Sequence, residues 1–210
     1  RNCVVSKCAS HAYLSAFSSC AGSALHPNRF VDCVADGGVG NHAAFTVYSN
    51  TVLVGCRGGG FQHGIYNDTE RVESVEAHRC HLWVSRVGIG LVAVGENETK
   101  RDIKIDQCRF HFPSGDGERI GVELFDKRLA RTVPAFWDIQ ITNSEFTKAG
   151  TPVPFYIATA NGPVSGILIR QAEIPEVTKT NFRGSPSDYV IDWIRTGLKS
   201  ATVERLAGSL

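Results

Sequence analysis

The residues with the clearest chemical potential are carboxylates set among aromatic rings. Tyr66, Glu123 and Tyr156 each follow an apolar residue (Ile65, Val122 and Phe155) in similar segments, and Gly90 follows Ile89 in another. If the apolar members face inward, strand alternation sets Tyr66, Gly90, Glu123 and Tyr156 in one exposed column. The column holds an acid between two aromatics, with room beside it at Gly90. Sugar rings dock on aromatic faces, and a pair of carboxyl groups cuts a glycosidic bond, one protonating the leaving oxygen while the other activates water or attacks. Glu123 is therefore a candidate catalytic residue, with Asp68 and Asp126 at the ends of the same segments as candidate partners. Asp68 would lie two strand spacings from Glu123, roughly 10 Å, which side chains can shorten to the separation of an inverting pair.

A lyase would instead need a base for the sugar C5 proton and a cation to neutralise the uronate. Arg57, Arg79, His81 and Arg109 are the basic residues placed for that, and His81 and Arg109 join Tyr66 and Tyr156 as candidate substrate-binding residues. Glu145 and Glu173 interleave with them, so a solvated face of mixed charge is the plain alternative. His11, His42 and His63 occupy matching places in SHAYL, NHAAF and QHGIY, and three stacked imidazoles could ligate a metal. The apolar equivalents Val87, Ile120 and Val153 point to an inward packing position, so no metal or cofactor is expected.

Positioning such columns requires a repeat, and the cysteines expose one. The octapeptides CVVSKCAS, NRFVDCVA, TVLVGCRG, VEAHRCHL, IKIDQCRF, IQITNSEF and ILIRQAEI align on Cys8, Cys33, Cys56, Cys80, Cys108, Ser144 and Ala172, at steps of 25, 23, 24, 28, 36 and 28 residues. Period-two alternation, as at Ile103 and Ile105 or Ile139 and Ile141, means strand. The residue before the column is polar or glycine in every copy, which sets it toward water. A second strand follows each copy, in HAYL, HAAF, HGIY, VGIGLVAV, IGVELF and VPFYIA. An antiparallel sandwich also has short, regularly spaced strands, yet it does not explain a column that stays small and sulfur-bearing through consecutive copies.

Composition bounds the rest. The chain has 210 residues, 42% of them hydrophobic, enough for one domain with a sizeable core. A formal charge of +1 leaves no electrostatic case for nucleic acid, and no apolar run is long enough to span a bilayer. Seven cysteines without CxxC spacing favour free thiols over a disulfide framework or a zinc site, and hence folding in a reducing cytoplasm. The absence of methionine suggests a piece of a longer protein.

With strands such as DIKIDQCRFHF followed by IGVELF, the repeat resembles the pectin-lyase-like superfamily of right-handed parallel β-helices, most closely the tailspike depolymerases of bacteriophages. The resemblance implies an all-β parallel β-helix of about seven rungs over residues 1–175, with 176–210 as a capping or oligomer-contact segment. That segment would be a short helix starting at Ser185 to Asp188, or an extended tail. It further implies a polysaccharide-binding chain that degrades its ligand as a hydrolase or lyase, assembled as a homotrimer in a virion tail. A non-catalytic glycan-binding fibre and a secreted pectinase-like enzyme are the alternatives. The sequence lacks the NTD, GDD and GHG series of the polygalacturonases, with only a partial echo in SGDGER, so no catalytic residue of the family is carried over.

Overall fold

The computed structural model describes residues 4–12, 15–19, 22–68, 71–95, 98–127, 135–153, 156–159, 164–171, 191–195 and 203–205. These form strands and no helix: β1 (Val4–Ser6), β2 (Ala9–Ala12), β3 (Ser15–Ser18), β4 (Asn28–Val31), β5 (Val34–Thr46), β6 (Thr51–Val54), β7 (Arg57–Asn67), β8 (Val72–His78), β9 (His81–Ala93), β10 (Lys100–Asp106), β11 (Arg109–Phe112), β12 (Ile120–Asp126), β13 (Phe136–Thr142), β14 (Glu145–Lys148), β15 (Thr151–Pro152), β16 (Tyr156–Thr159), β17 (Val164–Gln171), β18 (Ile191–Arg195) and β19 (Val203–Arg205).

The class is all-β, and the chain alternates between two sheets. One has the order β1-β4-β6-β8-β10-β13-β17-β18-β19, and the other runs β15-β14-β11-β9-β7-β5-β2, with β3, β12 and β16 attached. Pairing is parallel throughout except for β14 with β15 and β18 with β19, which excludes an antiparallel sandwich. The octapeptides stack in register, Ile103 opposite Val75 and Ile139, and Ile139 opposite Ile167. Segment 185–188 and Ala172 lie outside the described residues. Within the expected terminal segment, Ile191–Arg195 is a strand that extends the first sheet beyond β17.

Each passage from the first sheet to the second is made by two residues. The first has positive φ: Lys7 (50°), Asp32 (51°), Gly55 (64°), Arg79 (54°), Gln107 (54°) and Asn143 (50°). For a residue with a Cβ this left-handed conformation costs roughly 1–2 kcal/mol. The corner stays hydrogen-bonded to the stack, because Asp32, Gly55, Arg79 and Gln107 donate their N–H to Val54, His78, Asp106 and Thr142 of the next repeat. The second residue is the cysteine, with Cys33, Cys56, Cys80 and Cys108 free and buried and Cys8 free and exposed. Their carbonyls accept from Arg57, His81, Arg109 and Glu145 in turn. The thiols point back along the stack, Cys56 Sγ donating to Phe30 O at 3.3 Å and Cys108 Sγ to Ala77 O at 3.5 Å. Ser144 replaces the thiol with a hydroxyl that accepts from the Cys108 N–H at 3.1 Å. Cys3 and Cys20 lie outside the described residues.

Between the sheets lies one large apolar core. Leu53, Val75, Ile103, Ile105, Ile139 and Ile141 enter it from the first sheet, and Leu82, Ile89, Phe110 and Leu124 from the second. Phe110 and Phe146 stack with ring centroids 4.7 Å apart. Room for those rings comes from glycine: a Cβ on Gly88 would stand 2.6 Å from the Gly121 carbonyl oxygen and 3.0 Å from the Phe146 ring. Since the nearest obstacle is backbone held in a parallel ladder, it cannot move aside without breaking strand pairing. Gly88→Ala should lower the urea-unfolding stability by more than about 1 kcal/mol; an unchanged midpoint would contradict this close approach.

Candidate functional site

Alternation restarts at each corner, and this decides which side chains of the second sheet face out. After Cys80, Leu82 and Val84 are buried whereas His81 and Trp83 point outward, with Trp83 48% exposed. Register then builds two outward-facing rows, the second closed at its end by the buried Thr147. Arg57, His81, Arg109 and Glu145 form one, and Gly59, Trp83, His111 and Thr147 the other. Gly59, opposite Trp83, carries no side chain that could cover the indole.

The rings gather on this face. His81 stacks on Trp83 with centroids 4.1 Å apart and planes 25° apart, and His111 lies 4.8 Å from His81 and 5.9 Å from Trp83. His111 Nδ1 is 3.2 Å from Thr147 Oγ1, which orients its ring. A groove of about 610 Å³ runs along the cluster, lined by His81, Trp83, Ser85, His111, Pro113 and Thr147 among others. A second hollow of about 460 Å³ adjoins it at His81, lined by Arg57, Arg79, Gln107, Arg109 and Glu145. Burial, followed by the positive charges around His111, Arg109 and Arg57, holds His81 below the usual imidazole range. An aromatic shelf bordered by hydrogen-bonding groups suits a saccharide ring, whose axial C–H faces stack while its hydroxyls find polar partners.

Further along the same sheet, the expected column is present. Tyr66 stands opposite Gly90, Gly90 opposite Glu123, and Glu123 opposite Tyr156. Its surface differs from expectation. Tyr66 is only 9% exposed, because Gly90 offers no side chain and the tyrosine ring folds across it, 2.8 Å from where a Cβ would sit. The space at Gly90 is thus filled by Tyr66, which is no exposed platform. His42 and His63 close around the same ring at centroid distances of 4.5 and 4.4 Å. Burial, then the charge and hydrogen bond of Asp68 and the charge of Glu123, push the Tyr66 hydroxyl above its usual range.

Glu123 is half-buried, and desolvation raises its carboxyl pKa against the opposing pull of Arg86 and Lys127. That is the direction a general acid requires. Asp68 borders the surface beside Tyr66. Asp126 is fully buried: counting from Glu123, alternation turns Leu124 and Asp126 inward. It therefore cannot meet a substrate beside Glu123, and the expected catalytic partnership with Glu123 is not formed.

The matched histidines are also displaced from expectation. His11 pairs with Asp36, and Ala43 rather than His42 stands opposite His63, because the β5–β7 register shifts between Asp36 and Asn41. His42 and His63 still meet, with His63 Nδ1 3.1 Å from the His42 carbonyl. Val87 and Ile120 continue the His63 row, as the apolar equivalents suggested. Among the described residues no three His, Cys, Asp or Glu side chains converge as metal ligands, and no helix is long and apolar enough to cross a membrane.

Of the sequence candidates, His81 and Arg109 thus share one patch, whereas Tyr66, Asp68 and Glu123 share another. Trp83 and His111 were missed, although counting outward from Cys80 and Cys108 would have found both. Comparison with family models, curated proteins and solved structures yields no match.

Burial, opposed by the His42 hydrogen bond, lowers the His63 pKa to about 4. Between that value and the ordinary imidazole range near 6.5 the unfolded chain binds the extra proton, so His63 reduces stability as pH falls through that window. An NMR titration should place His63 near 4, and His63→Gln should flatten the fall in stability between pH 6.5 and 4. A His63 midpoint near 6.5 would contradict its burial.

Proposed function

We propose that the two sheets are faces of a right-handed parallel β-helix that binds polysaccharide on its outward side, as a tailspike-like chain does. The alternation of the chain between parallel sheets and the single file of corner cysteines support the winding. The observation that carries the binding is Trp83, an exposed indole stacked on His81 beside His111 and open along a groove. A large aromatic left half exposed among hydrogen-bonding neighbours is poorly explained by packing and well explained by a stacking ligand.

Hydrolysis is a second reading, carried by Glu123. Its raised pKa fits a general acid, and Asp68 is the remaining carboxylate on that patch among the original candidates. In this reading Glu123 protonates the leaving glycosidic oxygen while Asp68 activates water. The buried free thiols suit folding in a reducing cytoplasm before assembly, as a homotrimer, into an extracellular or virion-borne spike.

Incubation with a panel of acidic and neutral bacterial polysaccharides, read by affinity electrophoresis, product size and ultraviolet absorption, tests both. Trp83→Ala should weaken binding roughly tenfold or more while leaving the far-ultraviolet spectrum unchanged. Retention of parental affinity would exclude the Trp83 face as the glycan site. Glu123→Gln should abolish chain shortening and leave binding intact. Shortening accompanied by new absorption from unsaturated uronates would replace hydrolysis by elimination, and shortening unaffected by Glu123→Gln would remove Glu123 from the chemistry.

A further inference from the structure

We infer that the hollow beside Trp83 holds the anionic group of an acidic sugar, so that the glycan recognised there carries carboxylate or sulfate. This rests on the Trp83 face being a glycan site and adds the substrate class. Three guanidinium groups line the hollow: Arg57 and Arg109, on the strands flanking His81, and Arg79, at the left-handed corner before Cys80. Among the described residues Glu145 is the one carboxylate lining it, and its Oε2 lies 3.6 Å from Arg109 Nε. The local surplus of positive charge occurs in a chain whose formal charge is only +1, so it is a feature of this hollow and not of the surface as a whole.

The geometry fits a ligand that spans both hollows. His81 lines both the arginine hollow and the aromatic groove. Burial, followed by the surrounding cations, lowers the pKa of that ring, which favours the neutral imidazole that can donate to or accept from a sugar hydroxyl. Gln107, also on the rim, supplies an amide donor, and Asn143 beside it already donates to Asp106 Oδ1 at 3.0 Å. A ring stacked on Trp83 would place a substituent over His81 toward Arg57 and Arg109. There a guanidinium fork matches the paired oxygens of a carboxylate or sulfate. Neutral sugars can accept hydrogen bonds from these three guanidinium groups but carry no charge to pair with them.

The test uses matched polysaccharides and the full chain. Acidic bacterial polysaccharides are each presented beside their carboxyl-reduced derivative, and a sulfated glycosaminoglycan beside its desulfated form. The expected result is binding stronger for a charged member than for its neutral partner by roughly tenfold, weakening with added salt. Arg57→Gln with Arg109→Gln should erase that preference, with an unchanged circular dichroism spectrum. The carboxylate and sulfate pairs tell which anion is held. Equal affinity within every pair, or a preference that survives the double substitution, overturns the anionic subsite while leaving the Trp83 glycan site standing. No binding to any member overturns both.

Discussion

The passage between the two sheets must be made in two residues, again and again, and most of the remaining architecture follows from that constraint. One residue takes a left-handed backbone and the next turns a small side chain inward. The first condition is met at a cost by Lys7, Arg79 and Gln107 and with less strain by Asp32, Gly55 and Asn143. The second is met by cysteine, which fills the corner as a small hydrophobe and still offers a weak donor to a carbonyl of the preceding repeat. The N–H of the first corner residue and the C=O of the cysteine both bond to the next repeat, so the bend keeps backbone pairing on either side of it.

A recurring corner also resets alternation at a fixed place, so equivalent positions become columns. That is how Arg57, His81 and Arg109 come to share one row, and why Trp83 and His111 lie beside them. The Tyr66–Glu123 patch arises in the same way further along the sheet, but there the chain uses glycine to admit a ring from the neighbouring strand. One patch is consequently open and cationic, whereas the other is partly desolvated and holds a carboxyl group with a raised pKa. Binding and proton transfer call for such contrasting surroundings.

How much of this could be read from the amino-acid sequence differs by level. The cysteine spacing exposed the stack, and the Ile pairs of IKIDQC and IQITNS marked the inward positions, because buried alternation and small corner residues leave a direct imprint on residue type. The left-handed corners were legible only as polar or glycine residues, since φ leaves a weak trace when Lys, Arg and Gln adopt it. Register along the Tyr66, Gly90, Glu123 and Tyr156 column was legible, whereas the collapse of Tyr66 onto Gly90 was not: it depends on a vacancy in the next strand. Asp126 was misplaced because its position was judged by nearness to Glu123 and not by parity. The histidine triplet failed for a related reason, as the bulge before Asn41 shifts pairing by an amount that no local motif reveals.

The winding itself has a direct measurement. The chain contains no methionine, so every sulfur anomalous peak in a long-wavelength diffraction experiment on the protein is a cysteine. The sulfurs of Cys8, Cys33, Cys56, Cys80 and Cys108 should fall in a single file at intervals of about 4.8 Å, the spacing of paired strands. Sulfur positions scattered through the fold, or Cys56 and Cys80 separated by more than one strand spacing, would contradict it.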